Sequence, residues 1–246
     1  MAPAVAWKAN DALSIGAAFN FMYAQMEYEA GGGPKHSTAS SLGFGGTLGL
    51  TYKVSEAVTL GAAYETQSAF QDFEFTIAGQ KQALTFDQPM VATIGAAFRP
   101  LGGLLVALDG QWINWSATNG KDKPKLAKNP LGEPAWNLNW SDQFVVKLGL
   151  EYQLAALKEL KLRAGYDYGK SPLDANRAFE NLAFPAIAEH HVTVGAGYDI
   201  GKFAVNAAFL YSPESKLTGS NPAQGIVSYE TKMSQTAFEL GGSYRF

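Results

Sequence analysis

Histidine is the residue type that most often carries catalysis or binds a metal, and this 246-residue chain has three histidines. His36 lies in a glycine-rich stretch, while His190 and His191 are adjacent at the start of an alternating segment. Neighbouring residues of a strand point to opposite faces, so His190 and His191 cannot hold one metal ion together, and Asp199 lies too far along the strand to pair with His191. The chain has no cysteine, which removes thiolate metal sites and cysteine nucleophiles. We therefore predict no enzyme activity, no catalytic residue, no metal site and no cofactor.

Ionisable side chains alternate with apolar ones along several segments, which predicts that they share one face of a sheet. The basic members of this set are Arg99, Lys147, Lys161, Arg163 and Arg245, and the acidic ones are Glu65, Asp109, Glu151, Asp167, Asp199 and Glu239. Two interpretations stay open. The charges neutralise one another in a ladder, or Lys147 or Arg163 binds the carboxylate of a ligand.

Aromatic rings are concentrated in two segments that separate the alternating stretches. Phe70, Phe73, Phe75 and Phe86 lie in the first of these segments, and Phe179 and Phe184 lie in the second. Apolar side chains this dense outside a sheet indicate either ligand binding or packing of the rings on one another. The candidate ligand-binding residues are therefore these six phenylalanines together with Lys147 and Arg163.

Ten segments with a period of two must position these residues. In 42–54, LGFGGTLGLTYKV, the even positions are mostly large and apolar and the odd positions are small or polar, as expected for a strand with two unlike faces. The same alternation recurs over about 13–23, 58–65, 90–99, 104–112, 143–152, 160–168, 192–199, 203–211 and 238–246.

The connections between these segments alternate in length. Long connections occupy about 25–40, 67–88, 117–139, 170–189 and 213–231, and the others are short. Short turns at one end, long loops at the other and Tyr and Trp near both strand ends are typical of a membrane barrel. We predict one all-β domain over 1–246, an antiparallel transmembrane β-barrel of about ten strands with short periplasmic turns and long extracellular loops.

Composition agrees with this prediction. Hydrophobic residues make up 47% of the chain and charged residues 17%, below the share usual for soluble domains. No apolar run approaches the roughly 20 residues of a membrane-spanning helix. The formal net charge of −3 and the lack of a basic cluster argue against nucleic acid as a partner.

Several stretches resemble the outer-membrane long-chain fatty-acid and hydrocarbon transporter family, the FadL/TodX type. They are DGQWINWS (109–116), WNLNWSDQFVVKLGLEYQL (136–154), LKLRAGYDYGKSPL (160–173) and HHVTVGAGYDIGKFAVNAAFLYS (190–212). The resemblance covers essentially the whole chain. The chain end FELGGSYRF, which closes on Phe246, also resembles the recognition signal of bacterial outer-membrane barrels.

The resemblance implies a fourteen-stranded barrel preceded by an N-terminal hatch that plugs the lumen. This sequence has ten predicted strands and no segment that matches the hatch, and APAVAWKANDALSIG resembles the short turn before the fifth strand of the family. We therefore expect the chain to be the C-terminal ten strands of such a protein, with Met1 an internal methionine or a truncation point.

The same resemblance implies a function. We expect a transport protein of the bacterial outer membrane that takes up hydrophobic compounds, long-chain fatty acids first, by passive capture in loop grooves and passage through the barrel. By position, the 67–88 loop matches the family loop that helps to form the outer groove. The expected partners are outer-membrane lipid, a hydrophobic small molecule such as a fatty acid, and the barrel assembly machinery, which would recognise Phe246. The alternatives are a general-diffusion porin and a structural or adhesive barrel.

Overall fold

The chain folds mainly into β-strands. A computed structural model describes residues 1–27, 38–77, 80–123, 125, 137–177, 181–182, 184–222 and 225–245. Its elements are β1 (Ala4–Lys8), β2 (Leu13–Met26), β3 (Ala39–Lys53), β4 (Val58–Glu65), β5 (Ala69–Phe70), β6 (Phe73–Ile77), β7 (Gln80–Leu84), β8 (Val91–Leu101), β9 (Leu104–Ile113), α1 (Trp115–Asn119), β10 (Gln143–Gln153), β11 (Leu160–Gly169), β12 (His190–Ile200), β13 (Phe203–Asn221) and β14 (Ile226–Tyr244).

Eleven of these strands form one continuous antiparallel sheet. The pairing order is β1, β2, β3, β4, β8, β9, β10, β11, β12, β13 and β14, with β5 added beside β3. β6 and β7 pair with each other as a separate hairpin. Each strand of the main path pairs with its neighbour in sequence, apart from the step from β4 to β8 around the inserted hairpin. This order confirms the predicted all-β, antiparallel architecture.

One face of the sheet is apolar and open to the surroundings. The register keeps large side chains of neighbouring strands together, so that Leu148 lies opposite Leu108 on one side and Tyr166 on the other. Ile94 and Phe238 on this face are 71% and 72% exposed. A soluble protein would bury side chains of this kind, so this is the face that the sequence assigns to lipid.

The opposite face is polar or small, and it is the inner one. Side chains from the six consecutive strands β9 to β14 line a common cavity on this side. Gly95 leaves the space that Asp109 of the next strand occupies, because a Cβ at Gly95 would lie 1.8 Å from Oδ1 of Asp109. Small residues on the inner face therefore make room for long polar ones from neighbouring strands.

The two ends of the sheet differ as predicted. Short connections at 54–57, 102–103, 154–159 and 201–202 lie at one end, and the long connections lie at the other. Two of the short turns need glycine, because Gly103 and Gly201 have φ angles of +84° and +62°, in the left-handed region.

Two details of the predicted strands are wrong. Residues 4–8, expected to be part of a turn, form β1 and pair with β2, so the main sheet has eleven strands rather than ten. The 213–231 stretch, expected to be a long loop, belongs mostly to β13 and β14, which are 19 residues long each. A membrane-spanning strand needs about 9–11 residues, so this hairpin continues beyond the apolar band.

The strands β1 and β14 are the two outer strands of the sheet in the described part of the chain. Eleven antiparallel strands leave β1 and β14 running in the same direction, so direct pairing between them would be parallel.

Among the described residues, no helix has the length and apolar character needed to cross a membrane.

Candidate functional site

The β6–β7 hairpin packs against the long-loop end of the inner face as a cap. Phe73, Phe75 and Leu84 of this hairpin form a buried cluster with Ala39 of β3, and Phe73 and Phe75 are only 2% and 6% exposed. Ala24 and Met26 of β2 pack against the same cluster. The aromatic side chains of the predicted loop therefore form the core of the cap.

Glycines of β3 form a platform for the segment that leads into this hairpin. A Cβ at Gly43 would lie 2.6 Å from the ring of Phe70, and a Cβ at Gly45 would lie 2.2 Å from Oγ of Ser68. Phe70 in turn stacks on Phe73, with 6.2 Å between ring centroids. The ring of Phe70 and the hydroxyl of Ser68 therefore approach the β3 backbone closely only because these two positions carry no side chain.

A second aromatic contact joins three long connections. Phe86 stacks on Phe184 with 4.8 Å between ring centroids, and the ammonium of Lys125 lies 5.2 Å from the centroid of the Phe86 ring. Lys125 is buried, and its Nζ donates to the carbonyl of Thr118. Burial lowers the pKa of Lys125 to about 8, although Asp87 opposes the shift. We call Phe86, Phe184 and Lys125 the loop junction.

A cavity of about 470 Å³ lies on the inner face where β9 to β14 meet the 170–189 connection. We call it the chamber. Its apolar lining includes Trp115, Val145, Pro172, Pro185, Leu210 and Met233, and its polar lining includes Gln111, Gln143, Lys147, Asp167, Glu189, His191 and Gln235. A cavity of this volume, lined by apolar and polar side chains together, falls within the size range of small-molecule sites.

Trp115 has a fixed orientation at the edge of this chamber. Its indole Nε1 donates to Oε1 of Gln143 at 3.3 Å, and its ring meets Trp140 edge-on at 4.9 Å. Trp140 is itself buried and donates to Asn181. Tyr and Trp near the strand ends are expected at the lipid boundary, but these two indoles point inward, since Trp115 lines the chamber and Trp140 is buried.

Charged pairs occupy the inner face between the chamber and the short turns. Arg163 donates from Nε to Glu151 at 2.7 Å and from Nη1 to Asn206 at 2.8 Å. Lys161 lies 3.2 Å from Asp199, and Arg245 approaches the same carboxylate at 3.6 Å. These contacts agree with the interpretation in which the inner charges neutralise one another.

The sequence matches the model of one protein family, described as outer membrane protein transport protein (OMPP1/FadL/TodX), over residues 1–246. The chain belongs to this family. It is a protein of the bacterial outer membrane, and its family consists of transport proteins for hydrophobic compounds. The apolar face of the sheet therefore faces lipid, and the long connections lie on the extracellular side.

Solved structures of transporters share the fold of this OMPP1/FadL/TodX chain. The Pseudomonas putida toluene transporter TodX is 21% identical, with 99% of this chain and 68% of that one covered and a TM-score of 0.68. The Ralstonia pickettii toluene transporter TbuX is 18% identical, with 98% and 66% covered and a TM-score of 0.65. A Pseudomonas aeruginosa FadL homologue is 16% identical, with 98% and 66% covered and a TM-score of 0.73. The chain thus spans about two thirds of each of these chains. No curated protein matches it.

The two adjacent histidines of this family member lie on opposite faces, as predicted. His190 is on the lipid-facing side, where its Nδ1 lies 2.7 Å from the hydroxyl of Tyr166, and His191 is on the inner face, 2.8 Å from Asp167. Across the described ranges, His, Asp and Glu side chains do not cluster in groups of three or more that could hold a metal ion. Sequence reasoning weighed only Asp199 as a partner for His191 and missed Asp167. The register of β11 and β12, which sets Asp167 opposite His191, would have identified the pair.

The predicted ligand-binding residues fall into three groups. Phe73 and Phe75 belong to the cap and Phe70 packs against them, and Phe86 and Phe184 belong to the loop junction. Lys147 lines the chamber, and Arg163 lies below it in the paired set. Phe179 lies outside the described residues, as do His36 and Phe246. Ligand contact by all eight candidates stays a prediction. Sequence reasoning missed Trp115, Lys125 and the three glutamines of the chamber, because only the fold brings the loops onto the strands.

Proposed function

We propose that this protein is a passive outer-membrane channel that takes up hydrophobic compounds, including long-chain fatty acids. A compound would be captured at the loop junction, enter the chamber and continue along the inner face. The observation that carries this proposal is the chamber itself, a cavity on the inner face beneath the long connections whose lining includes Trp115, Leu210 and Met233. A channel that admits only hydrophilic solutes has no need for such a lining.

The aromatic contacts explain how capture would work. The stacked rings of Phe86 and Phe184 belong to different loops, so a ligand that separates or extends this stack gains apolar contact on both sides. Phe73 and Phe75 would contribute by holding the cap in place, since both rings are buried. Capture then needs neither nucleotide nor metal.

The ligand class has two candidates. Long-chain fatty acids are the class that the sequence predicts, with Lys147 and Arg163 as carboxylate contacts. Monoaromatic hydrocarbons are the second candidate, because TodX and TbuX are toluene transporters and because the guanidinium of Arg163 is already paired with Glu151. As further partners we propose outer-membrane lipid around the apolar face and the barrel assembly machinery at the chain end.

Equilibrium binding tests the proposal. The refolded protein in detergent is titrated with a fluorescent fatty acid, and toluene and oleate are then used as competitors. We expect saturable binding that at least one competitor displaces, and weaker binding in Phe86→Ala than in Leu182→Ala, a change at a loop side chain that is 70% exposed. The absence of saturable binding, together with entry of sugars into proteoliposomes, would favour the general-diffusion porin instead.

A further inference from the structure

A row of charges crosses the inner face at the chamber, and three of its four members line the cavity. Asp109, Lys147, Asp167 and His191 lie opposite one another on the adjacent strands β9, β10, β11 and β12, and all four face inward. Lys147 is therefore flanked by a carboxylate on each neighbouring strand. Glu189 adds a further carboxylate to the lining, and its Oε1 accepts from the backbone N–H of Ser171.

The row and Glu189 together are net negative. Asp167 and Glu189 belong to the lining, and Asp109 lies beside it on β9. These three carboxylates outnumber the single ammonium of Lys147, so the sum stays negative whether His191 is neutral or carries a proton. The Nδ1 atom of His191 lies 2.8 Å from Asp167, so the imidazole contacts a carboxylate that is already part of the row. A ligand that brings a negative charge into this chamber meets repulsion. At a distance of about 10 Å and an effective dielectric constant of about 20, one unit of excess like charge weakens binding roughly tenfold.

The hydrogen-bonding capacity of the chamber points the same way. Carboxylates accept hydrogen bonds and do not donate them, so Asp167 and Glu189 are best satisfied by a ligand that donates. The amide group of Gln143 is engaged on both sides, since its oxygen accepts from Trp115 and its nitrogen donates to the carbonyl of Lys170. An ionised carboxylic acid offers no donor, whereas an alcohol or a phenol offers one O–H.

We propose that the chamber binds uncharged hydrophobic compounds that carry a hydroxyl group, such as alkylphenols and long-chain alcohols, and discriminates against carboxylate anions. This inference rests on the proposed function, because it assigns a head-group preference to one step of the same uptake route. Asp167 and Glu189 are the residues that accept the ligand hydroxyl and repel the anion. The apolar lining, with Val145, Leu210 and Met233, contacts the hydrocarbon part.

Three ligands that share one skeleton test the proposal. Ethylbenzene, 4-ethylphenol and 4-ethylbenzoate are titrated by calorimetry against the refolded full chain at about pH 8, where the benzoate is ionised and the phenol is neutral. We expect 4-ethylphenol to bind about tenfold more tightly than 4-ethylbenzoate. Quenching of Trp115 locates the binding, because this indole lines the chamber, and the quenching is expected to disappear in Trp115→Phe while the heat of binding persists.

Charge-neutralising variants complete the test. In Glu189→Gln, and further in Glu189→Gln combined with Asp167→Asn, the preference for the phenol over the benzoate should fall to within about threefold. Glu239→Gln is the matched control, because Glu239 lies on the inner face outside the chamber lining. Glu189→Gln alone keeps the test valid if the double variant does not fold.

The outcomes separate the inference from the proposed function. Equal affinities for 4-ethylphenol and 4-ethylbenzoate, or a preference that survives in both variants, would overturn the inference and leave hydrophobic uptake standing. Binding of none of the three compounds would count against the inference, and the proposed function would fail with it only if the fluorescent fatty acid also fails to bind.

Discussion

The cap offers the sharpest test of the packing that the structure shows. Phe73 is buried between the hairpin and β3, and it stacks on Phe70. Phe73→Ala removes this ring and leaves a cavity that the hairpin can fill only in part. Replacing a buried phenylalanine by alanine costs about 3–5 kcal/mol. Phe73→Ala should weaken the docking of the hairpin and leave the stability of the main sheet unchanged, because β6 and β7 pair only with each other.

Hydrogen exchange of the backbone amides measures this docking free energy. A loss of about 3 kcal/mol increases the population of the open cap about 150-fold, and the protected amides between Phe73 and Leu84 should exchange faster by that factor. Amides of β10 and β11 should be unchanged, because their partners lie within the sheet. Leu182→Ala is the control, since this loop side chain is largely exposed and its removal leaves no cavity.

Exchange of the hairpin amides that changes by less than about threefold in Phe73→Ala would refute this account of the cap. The buried rings would then not hold the hairpin, and their role as a ligand surface would regain support.

Three further predictions concern single positions. Gly43→Ala should open the same cap, because the new Cβ would meet the Phe70 ring, and the hairpin amides should then exchange faster with solvent. Unchanged exchange would contradict the role of Gly43 as a platform for Phe70. Lys125→Met should make thermal stability less dependent on pH. The pKa of Lys125 is lowered to about 8 in the folded protein, so the wild-type protein gains stability as the pH rises from this value to the unfolded pKa of 10.5. An equal dependence of thermal stability on pH in both proteins would contradict the burial of the ammonium. Glu151→Gln should lower the free energy of unfolding in urea by less than about 1 kcal/mol, because the Arg163–Glu151 pair is partly exposed. The same variant should raise the affinity for oleate if Arg163 contacts carboxylates, and an unchanged affinity would argue against that contact.

The transmembrane part of the sheet could be predicted from the sequence because the alternation has a physical cause. A strand between lipid and a polar interior must carry large apolar side chains on one face only, and 143–152 and 160–168 show this pattern through their whole length. The pattern fails where lipid ends. In the extension of β13 and β14 the alternation is lost, since the apolar Ile226 and Val227 are adjacent, and Glu230 binds Lys216 and Lys232 across and along the hairpin. Backbone pairing alone identifies these residues as strand.

The candidate site could be predicted only in outline. The aromatic richness of the 67–88 segment was visible, but whether those rings bind a ligand or one another depends on the glycine platform of β3 and on the docking of the hairpin. The chamber required two things that a single sequence does not provide, the register that aligns Lys147 with Asp167 and the placement of the 170–189 connection against the strands. The missed strand β1 has a different cause, since AVAWK has only five residues, too few to establish a period of two.

Uptake by cells tests the central claim most directly. Gram-negative cells that lack their own fatty-acid transporter would express this chain in the outer membrane, and the initial rate of uptake of labelled oleate or toluene would be compared with that of cells carrying an empty vector. The account predicts faster uptake of at least one hydrophobic compound, reduced in Phe86→Ala and unchanged in Leu182→Ala. Uptake no faster than with the empty vector, in cells where the folded protein is present in the outer membrane, would contradict the account.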